Sequence, residues 1–326
     1  MRRMVTPSDE HRFFHVAIRL ALAAVSFGTV MALFSYQHWV AELFSHFRIY
    51  YLLALALLAL IFLHTRHRLL LTLTLLLAVP NAFYVVPYLT PLIVGKSLAG
   101  PLEEHVSIAS LNVDYHSDDY QLVLDYLESN PVDIVVIVEY TPAWESALAV
   151  LDSTYPYRIG ASRDDPWGLA VFSKLPLASA ELLDLGIRDT VHARFVLDLD
   201  GAPLEIFAVH LMVPTTREKA GMRNSQLATL AELMSTSKIP RVLVGDLNIT
   251  PFSPLFADFL GAAGLVDARQ PFGFHITWPT TALPVWIPID HCLADPVVPI
   301  HSVRRGPHFG SDHYPLEIVV QKTGSG

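Results

Sequence analysis

Cysteine is almost absent from this chain: Cys292 is the single one among 326 residues, so no intrachain disulfide can form. That is compatible with either side of a membrane. Flanked by Ile289-Asp290-His291 and Leu293, it reads as a small buried thiol rather than a nucleophile. Charge is scarce too, at 16%. No run of Lys or Arg goes beyond Arg304-Arg305, so the sequence holds no ready groove for a long polyanion. There is no His-x-Glu or Cys-x-x-Cys spacing for zinc, no Gly-x-Ser-x-Gly nucleophile elbow and no Walker-type glycine loop. Internal repeats and low-complexity tracts are missing as well.

Apolar residues are what the chain has in excess. They make up 52% of it, the mean hydropathy is +0.40, and the excess lies before about residue 95. Three apolar stretches stand there: Phe13 to Phe34, Ile49 to Leu63, and Leu69 to Val94, the last broken by Pro80, Pro87 and Pro91. A helix needs roughly 20 apolar residues to cross a bilayer, with about 17 as the lower limit. The first stretch meets that, the second is short, and the third is long enough but is expected to kink at Pro80-Asn81. Arg2, Arg3 and Arg12 give the first the basic start of a signal peptide, yet its apolar run is too long for a signal core and more apolar sequence follows. The reading is three spans, at roughly 13–34, 48–64 and 69–94. Arg2, Arg3, Arg12, Arg66 and Arg68 fall on one side of them, Arg48 and Lys96 on the other. Basic loops stay inside, so the N-terminus is cytoplasmic and everything after residue 95 is outside the cytoplasm. A re-entrant third stretch would reverse the side.

Charge divides the chain at the same place. Residues 1–104 hold 8 Lys and Arg against 5 Asp and Glu, a balance of +3; residues 105–326 hold 14 against 26, a balance of −12. After a hinge around Gly95 to Glu104, strand-like and helix-like segments alternate. Strands are expected at Val106 to Asn112, Ile134 to Val138, Leu169 to Ser173, His192 to Leu199, Leu204 to Leu211, Arg241 to Gly245 and Tyr314 to Val320. Helices are expected at Asp119 to Ser129, Arg223 to Met234 and Pro254 to Leu260. Such interleaving, with antiparallel-looking pairs, implies a mixed-sheet α/β domain.

Polar residues that could do chemistry stand at the ends of the apolar strands. Asn112, Glu139, Asp246 and Asp290 each follow such a run, and strand ends are where ligand sites gather in open α/β sheets. His210 lies inside a strand that leads into Pro214-Thr215-Thr216-Arg217, a loop with phosphate-contacting residue types. Hydrolysis of a phosphoester needs an activated water and neutralised phosphoryl oxygens, and a hard divalent cation held by carboxylates and carboxamides supplies both. Glu139 and Asp312 are suitable carboxylates and Asn112 a neutral oxygen. His313 and His210 suit the role of orienting water or donating to phosphate, with Asp290 the natural partner for one of them.

The ordered set Asn112, Glu139, His210, Gly245-Asp246-Leu247-Asn248, Ile289-Asp290-His291 and Gly310-Ser311-Asp312-His313 resembles the endonuclease/exonuclease/phosphatase superfamily. Gly168-Leu169-Ala170-Val171-Phe172-Ser173-Lys174 also matches that family's central strand. The resemblance covers roughly residues 105–322 and implies an α/β four-layer sandwich: two packed mixed β-sheets with helices outside, here preceded by a helical transmembrane region. It implies Mg2+, or Mn2+, held by Asn112, Glu139 and Asp312. Asp246 would position or deprotonate the attacking water, and Asn248 would hold a phosphoryl oxygen. His313, oriented by Asp290, would contact the phosphate, and His210 would take the second catalytic histidine position. Arg223 and Gln226 match a recurrent family spacing and would line the substrate loop, as would Trp278 of the Thr277-Trp278 pair. Asp114 falls at a spacing some members use for a metal-linked acid. The implied organisation is a membrane region at 1–95, a linker at 96–104, a catalytic domain at 105–322 and a tail at 323–326.

Three functions follow from this. The first is a membrane-anchored phosphoesterase, multi-pass in a bacterial inner membrane, with its catalytic domain outside the cytoplasm and a lipid headgroup or small phosphodiester as substrate. The second is a membrane-tethered nuclease, which the acidic domain disfavours. The third is a non-catalytic binding module, disfavoured because each motif position keeps a competent residue. Nothing in the sequence fixes an oligomeric state.

Overall fold

The computed structural model describes residues 7–94, 104–281 and 285–322. The expected linker, apart from Glu104, and the expected tail lie outside them. The chain packs as two units, Met1–Pro87 with Phe252–Pro254, and Tyr88–Pro251 with Leu255–Gly326.

The first unit is helical: α1 (Pro7–Leu33), α2 (Trp39–Ser45), α3 (Arg48–His64) and the greater part of α4 (Arg68–Val94). Ile18, Leu22, Leu55, Leu58 and Phe62 pack together inside it. Leu20, Phe27, Leu69, Leu76, Val79 and Phe83 point outward, an apolar surface that suits lipid rather than water. The segments Arg12–Leu33 and Arg68–Pro91 are long and apolar enough to cross a membrane. The middle helix has the expected bounds and 17 residues, and what the sequence did not show is the 58° bend at which it meets α2, so that the pair counts as a broken span or a re-entrant loop. Pro80 does not interrupt α4, and beside it the Asn81 side-chain amide donates to the Leu77 carbonyl and to Thr29 Oγ1, both at 3.0 Å. Arg48, expected as a charge flanking the second span, is buried and donates to the carbonyls of Ala32 and Phe252.

The second unit holds two six-stranded sheets. One has the order β11 (Ile300–Arg305), β12 (Leu316–Gln321), β1 (His105–Asn112), β2 (Ile134–Val138), β4 (Leu169–Ser173), β3 (Tyr157–Ala161). The other has β5 (Leu177–Leu183), β6 (His192–Leu199), β7 (Ala202–His210), β8 (Arg241–Asp246), β10 (Asp290–Ala294), β9 (Val266–Asp267). Each sheet has a single parallel pair at its centre, β1 with β2 and β7 with β8, and antiparallel neighbours elsewhere. Parallel neighbours need a crossover, which α5 (Tyr120–Ser129) and α7 (Arg217–Thr236) supply. The remaining helices are α6 (Pro142–Leu148) and α8 (Pro254–Ala263).

Strand composition follows from burial on both faces. In β2, Ile134, Val136 and Val138 enter the core between the sheets, while Val135 and Ile137 pack outward against Val123, Leu127 and Trp144. Val242 and Val244 of β8 likewise face the intersheet core, and Leu243 faces Leu230 and Phe259 of the covering helices. A strand covered on both sides reads as continuous apolar sequence, which is why these two were legible. The result is the expected four-layer sandwich.

Candidate active site

Alternation along the strands delivers the site. Inward positions of β1 run Val106, Ile108, Ser110, and the next is Asn112. On β7 they run Leu204, Ile206, Ala208, then His210; on β8, Val242, Val244, then Asp246. Strand β10 is antiparallel to β8, and its inward positions Ala294 and Cys292 lead to Asp290. Successive side chains of a strand alternate faces, so each core row ends in one polar residue at the same rim of the sandwich. Pairing aligns them: His210 opposes Asp246, and Asp246 opposes Asp290.

Glu139 breaks the alternation. One residue past the inward Val138, it takes a left-handed backbone (φ 62°), which brings its carboxylate to the rim. Its Oε1 accepts from Asn112 Nδ2 at 3.0 Å and its Oε2 from the Tyr115 N–H at 2.9 Å. Gly245 is required by its surroundings. With φ 130°, a Cβ there would lie 1.9 Å from the Val209 carbonyl oxygen, and only glycine lets the two strands close to that distance beside the site. Asn248 also has positive φ (50°), held by its own N–H on Asp246 Oδ1 and by its side-chain amide on the Leu211 carbonyl, each at 2.8 Å.

The loop before β12 brings in Asp312 and His313. Ser311 Oγ donates to the Asn112 carbonyl at 2.6 Å and accepts the His313 N–H at 3.0 Å, which locks this loop to the end of β1. His313 Nδ1 donates to Asp290 Oδ2 at 2.9 Å, while Nε2 stands 3.8 Å from Asp246 Oδ2 and 4.0 Å from Asp312 Oδ1. His210 Nδ1 lies 3.2 Å from the Pro166 carbonyl, which can only accept, so the proton is on Nδ1. His210 Nε2 is then a bare acceptor, buried without a hydrogen-bond partner, 3.9 Å from Asp246 Oδ2 and 4.0 Å from Glu139 Oε1.

Electrostatics separate the groups. Burial favours a neutral His313, but the charge and hydrogen bond of Asp290 outweigh it and hold the ring charged, with a pKa of about 10. Asp290, although buried, is kept below the usual carboxylate range by His313. Burial, reinforced by Asp290, pushes Asp246 well above that range. Burial lowers His210 and keeps it neutral. The rim thus holds a charged dyad, a neutral histidine and a carboxyl group reluctant to ionise. That division is the usual mark of acid and base assignments.

The ligand atoms of Asp246, Asp290 and His313 lie within 4.8 Å of one another, but a charged His313 has no free nitrogen to offer a metal, and the expected ligands Asn112, Glu139 and Asp312 are not in this cluster. Of the residues expected around the metal, Asn112 and Glu139 are in contact, and Asp312 reaches the rim beside His313. The Asn112 carboxamide presents its NH2 to Glu139 and to Asp246 Oδ2 (3.4 Å), and its oxygen accepts the Asp114 N–H; as a metal ligand it would turn that oxygen inward. Gathered carboxylates and a disfavoured charge on Asp246 fit a hard divalent cation, which takes oxygen ligands, while the orphaned His210 nitrogen suits a water.

The three residues expected to line substrate sit differently. Arg223 is buried and donates to the Asn248 carbonyl at 3.2 Å. Gln226 is buried; its Oε1 accepts the Met212 N–H at 2.9 Å, and its amide nitrogen faces His192. Both brace the loops that carry His210 and Asn248. Trp278 is at the rim, where Nε1 donates to Asp312 Oδ2 at 2.9 Å. His192, buried at the start of β6 and accepting the His210 N–H at 3.4 Å, escaped the sequence reading, since no motif marks it. His291 is buried away from the rim, its ring against Phe256 and its Nε2 2.8 Å from the Ile249 carbonyl.

Residues 109–313 match the family model described as Endonuclease/Exonuclease/phosphatase family. No curated protein matches the chain. Among solved structures, D. rerio TDP2 complexed with single strand DNA product aligns with a TM-score of 0.59 and 17% identity over 68% of this chain and 100% of that one. Sphingomyelinase C from Streptomyces griseocarneus aligns with a TM-score of 0.51 and 18% identity over 68% of this chain and 100% of that one. An endonuclease/exonuclease/phosphatase from Beutenbergia cavernae gives 0.54 and 16%, over 68% and 73%. At these identities the likeness establishes a shared fold.

Proposed function

The chain belongs to the endonuclease/exonuclease/phosphatase family, and from that premise we propose that it is a divalent-metal-dependent phosphoester hydrolase anchored in a membrane by its N-terminal helices. One observation carries the reading. Asp246 Oδ2 lies 3.9 Å from His210 Nε2 and 3.8 Å from His313 Nε2, spacing at which an oxygen set to one side, about 2.8 Å from each, can hydrogen-bond to Asp246 and a histidine together.

Asn112, Glu139 and Asp312 would hold the cation, which when bound supplies positive charge against the phosphoryl oxygens and acidifies water. Asp246 orients the attacking water and takes its proton as the oxygen bonds to phosphorus and the P–O bond to the leaving group breaks, the departing oxygen taking its proton from solvent; a raised pKa suits Asp246 to hold the proton it receives. Neutral His210 accepts a second hydrogen bond from the same water through its bare Nε2. Charged His313 donates from Nε2 to a phosphoryl oxygen, its ring fixed by Asp290. The Asn248 amide, with one N–H on Leu211, has the other left for a phosphoryl oxygen.

The substrate favoured is a phosphodiester met at a membrane surface, with a lipid headgroup as its class. The −12 balance after residue 104 and the absence of a basic run weigh against long nucleic acid. A nuclease is the second reading, supported by the DNA product held by the structurally similar TDP2. A non-catalytic module is disfavoured because Asp246, Asp312 and His313 are all kept. With α2 and α3 counted as one broken span, the catalytic domain stands outside the cytoplasm.

The test offers the full chain, in detergent, a sphingomyelin-like lipid, an inositol phosphate and plasmid DNA, each with Mg2+ or with chelator. Headgroup release that needs Mg2+ or Mn2+ is expected, together with a Mg2+-dependent rise in thermal midpoint. Plasmid nicking without lipid turnover would replace the lipid reading with the nuclease one. No turnover, with Asp246→Ala indistinguishable from the parent, would leave the binding module. A reporter fused after Gly326 is expected to be active outside the cytoplasm; cytoplasmic activity would make the bent pair re-entrant.

A further inference from the structure

Beneath the rim lies a buried polar network that the proposed chemistry does not use. Asp267, on the edge strand β9, and Arg269 form a bidentate pair: Nε to Oδ1 at 3.0 Å and a terminal nitrogen to Oδ2 at 2.8 Å. Both side chains are 2% exposed. Asp267 also accepts the Arg269 N–H at 3.0 Å and the hydroxyl of Tyr88, the first residue of this unit, at 2.9 Å. A buried ion pair of this kind adds little net stability over a well-packed apolar pair, because desolvation offsets the attraction. Its geometry is more informative.

The guanidinium has further donors, and they run toward the site. One terminal nitrogen donates to the Asp290 carbonyl at 2.6 Å, and the other lies 2.8 Å from His291 Nδ1. Arginine only donates, so His291 Nδ1 accepts and its proton sits on Nε2. That Nε2–H then donates to the Ile249 carbonyl at 2.8 Å. A single planar cation therefore fixes the backbone of Asp290 directly, and through His291 the backbone just after Asn248. These two segments carry the partner of His313 and the Asp246–Asn248 turn.

We propose that Arg269 is a positioning residue for the phosphoester reaction: its fork, aimed by Asp267 and Tyr88, holds the Asp290 and Asn248 segments so that Asp290 meets His313. This rests on the hydrolase reading above. A lysine cannot reproduce the role, since it has the charge without the planar donors.

The test uses the full chain in detergent with Mg2+, at a temperature well below its thermal midpoint. In Arg269→Lys and in the doubly neutral Asp267→Asn/Arg269→Met, which leaves no buried charge unpaired, kcat is expected to fall about 10–100-fold with KM nearly unchanged. Tyr88→Phe, which removes one hydrogen bond, is expected to lower kcat by a smaller factor. A second readout does not need turnover: the far-downfield proton resonance of His313 Nδ1, recorded in chelator, is expected to shift or vanish in the same variants. Parental kcat and an unmoved resonance in folded Arg269 variants would sink the proposal, whatever their thermal midpoint. Should those variants not fold, Tyr88→Phe decides by the same two readouts. If the parent turns over no phosphoester, the hydrolase reading fails, while the resonance still tells whether Arg269 sets the dyad.

Discussion

At the scale of single residues, Asp246 occupies a place that opposes its charge. It is buried, faces Asp290 across a strand pair, and its ionised form is opposed by both facts. Asparagine keeps the shape and can still accept the Asn248 N–H, while removing the repelled charge. Asp246→Asn is therefore expected to lose activity on the order of 10³-fold or more, yet to keep or raise the thermal midpoint measured in chelator. A variant that is both inactive and strongly destabilised would mean that Asp246 is chiefly structural. Asn112, Glu139 and Asp290 were named from sequence because each follows an apolar run, His210 because it interrupts one, and His313 from the Gly310-Ser311-Asp312-His313 motif. His192 and Arg269 were not, because their partners come from segments far along the chain: His210 for one, Asp290 and His291 for the other.

At the scale of elements, most central strands were readable and the edges were not; the exception is β10, an interior strand that Asp290 opens, where the expected strand ran over 286–289 and ended at it. Covered on both faces, β2 and β8 left an unbroken β-branched signal, whereas β5 and β3 carry mostly exposed side chains and no such pattern. Helix α7 begins at Arg217, six residues before the expected start, because Thr216 caps it by accepting the Lys219 N–H at 3.2 Å. Strands β7 and β8 approach closely where Val209 pairs with Gly245. Gly245→Ala would force these strands apart and strain the backbone, and a loss of at least about 3 kcal/mol is expected. Thermal unfolding in detergent checks this; a midpoint within a degree of the parent would contradict the close approach at Val209.

At the scale of the whole molecule, buried histidines set opposite limits on pH. His192 and His291 are pushed down by burial to about 3, from an ordinary 6.5. The unfolded chain binds their protons first, so stability is full above about 6.5 and is lost as pH falls toward 3. His313 is the reverse case: raised to about 10 by Asp290 against the opposing effect of burial, it stabilises fully below 6.5 and loses that contribution as pH climbs through 10. In chelator, the thermal midpoint is expected to peak near neutrality and fall on both sides. His313→Gln should flatten the alkaline limb alone; an unchanged alkaline limb would show that His313 is not charged in the folded chain.

Local sequence was enough for a mixed-sheet α/β domain, an apolar N-terminal region and a set of polar strand-end residues, while the four-layer sandwich came from the resemblance of the ordered motifs to a known family. Periodicity and strand-end polarity are properties of neighbouring residues, and they survive without knowledge of the fold. Tertiary structure alone decided which of those residues meet. Strand register set Asp246 opposite both His210 and Asp290, and the loop held by Ser311 brought His313 onto that pair. It also turned Arg223 and Gln226 inward as braces and gathered Asp267, Arg269 and His291 beneath the site. Burial and the spacing of charges, which no single segment encodes, then fixed which histidine is charged and which carboxyl group resists ionisation.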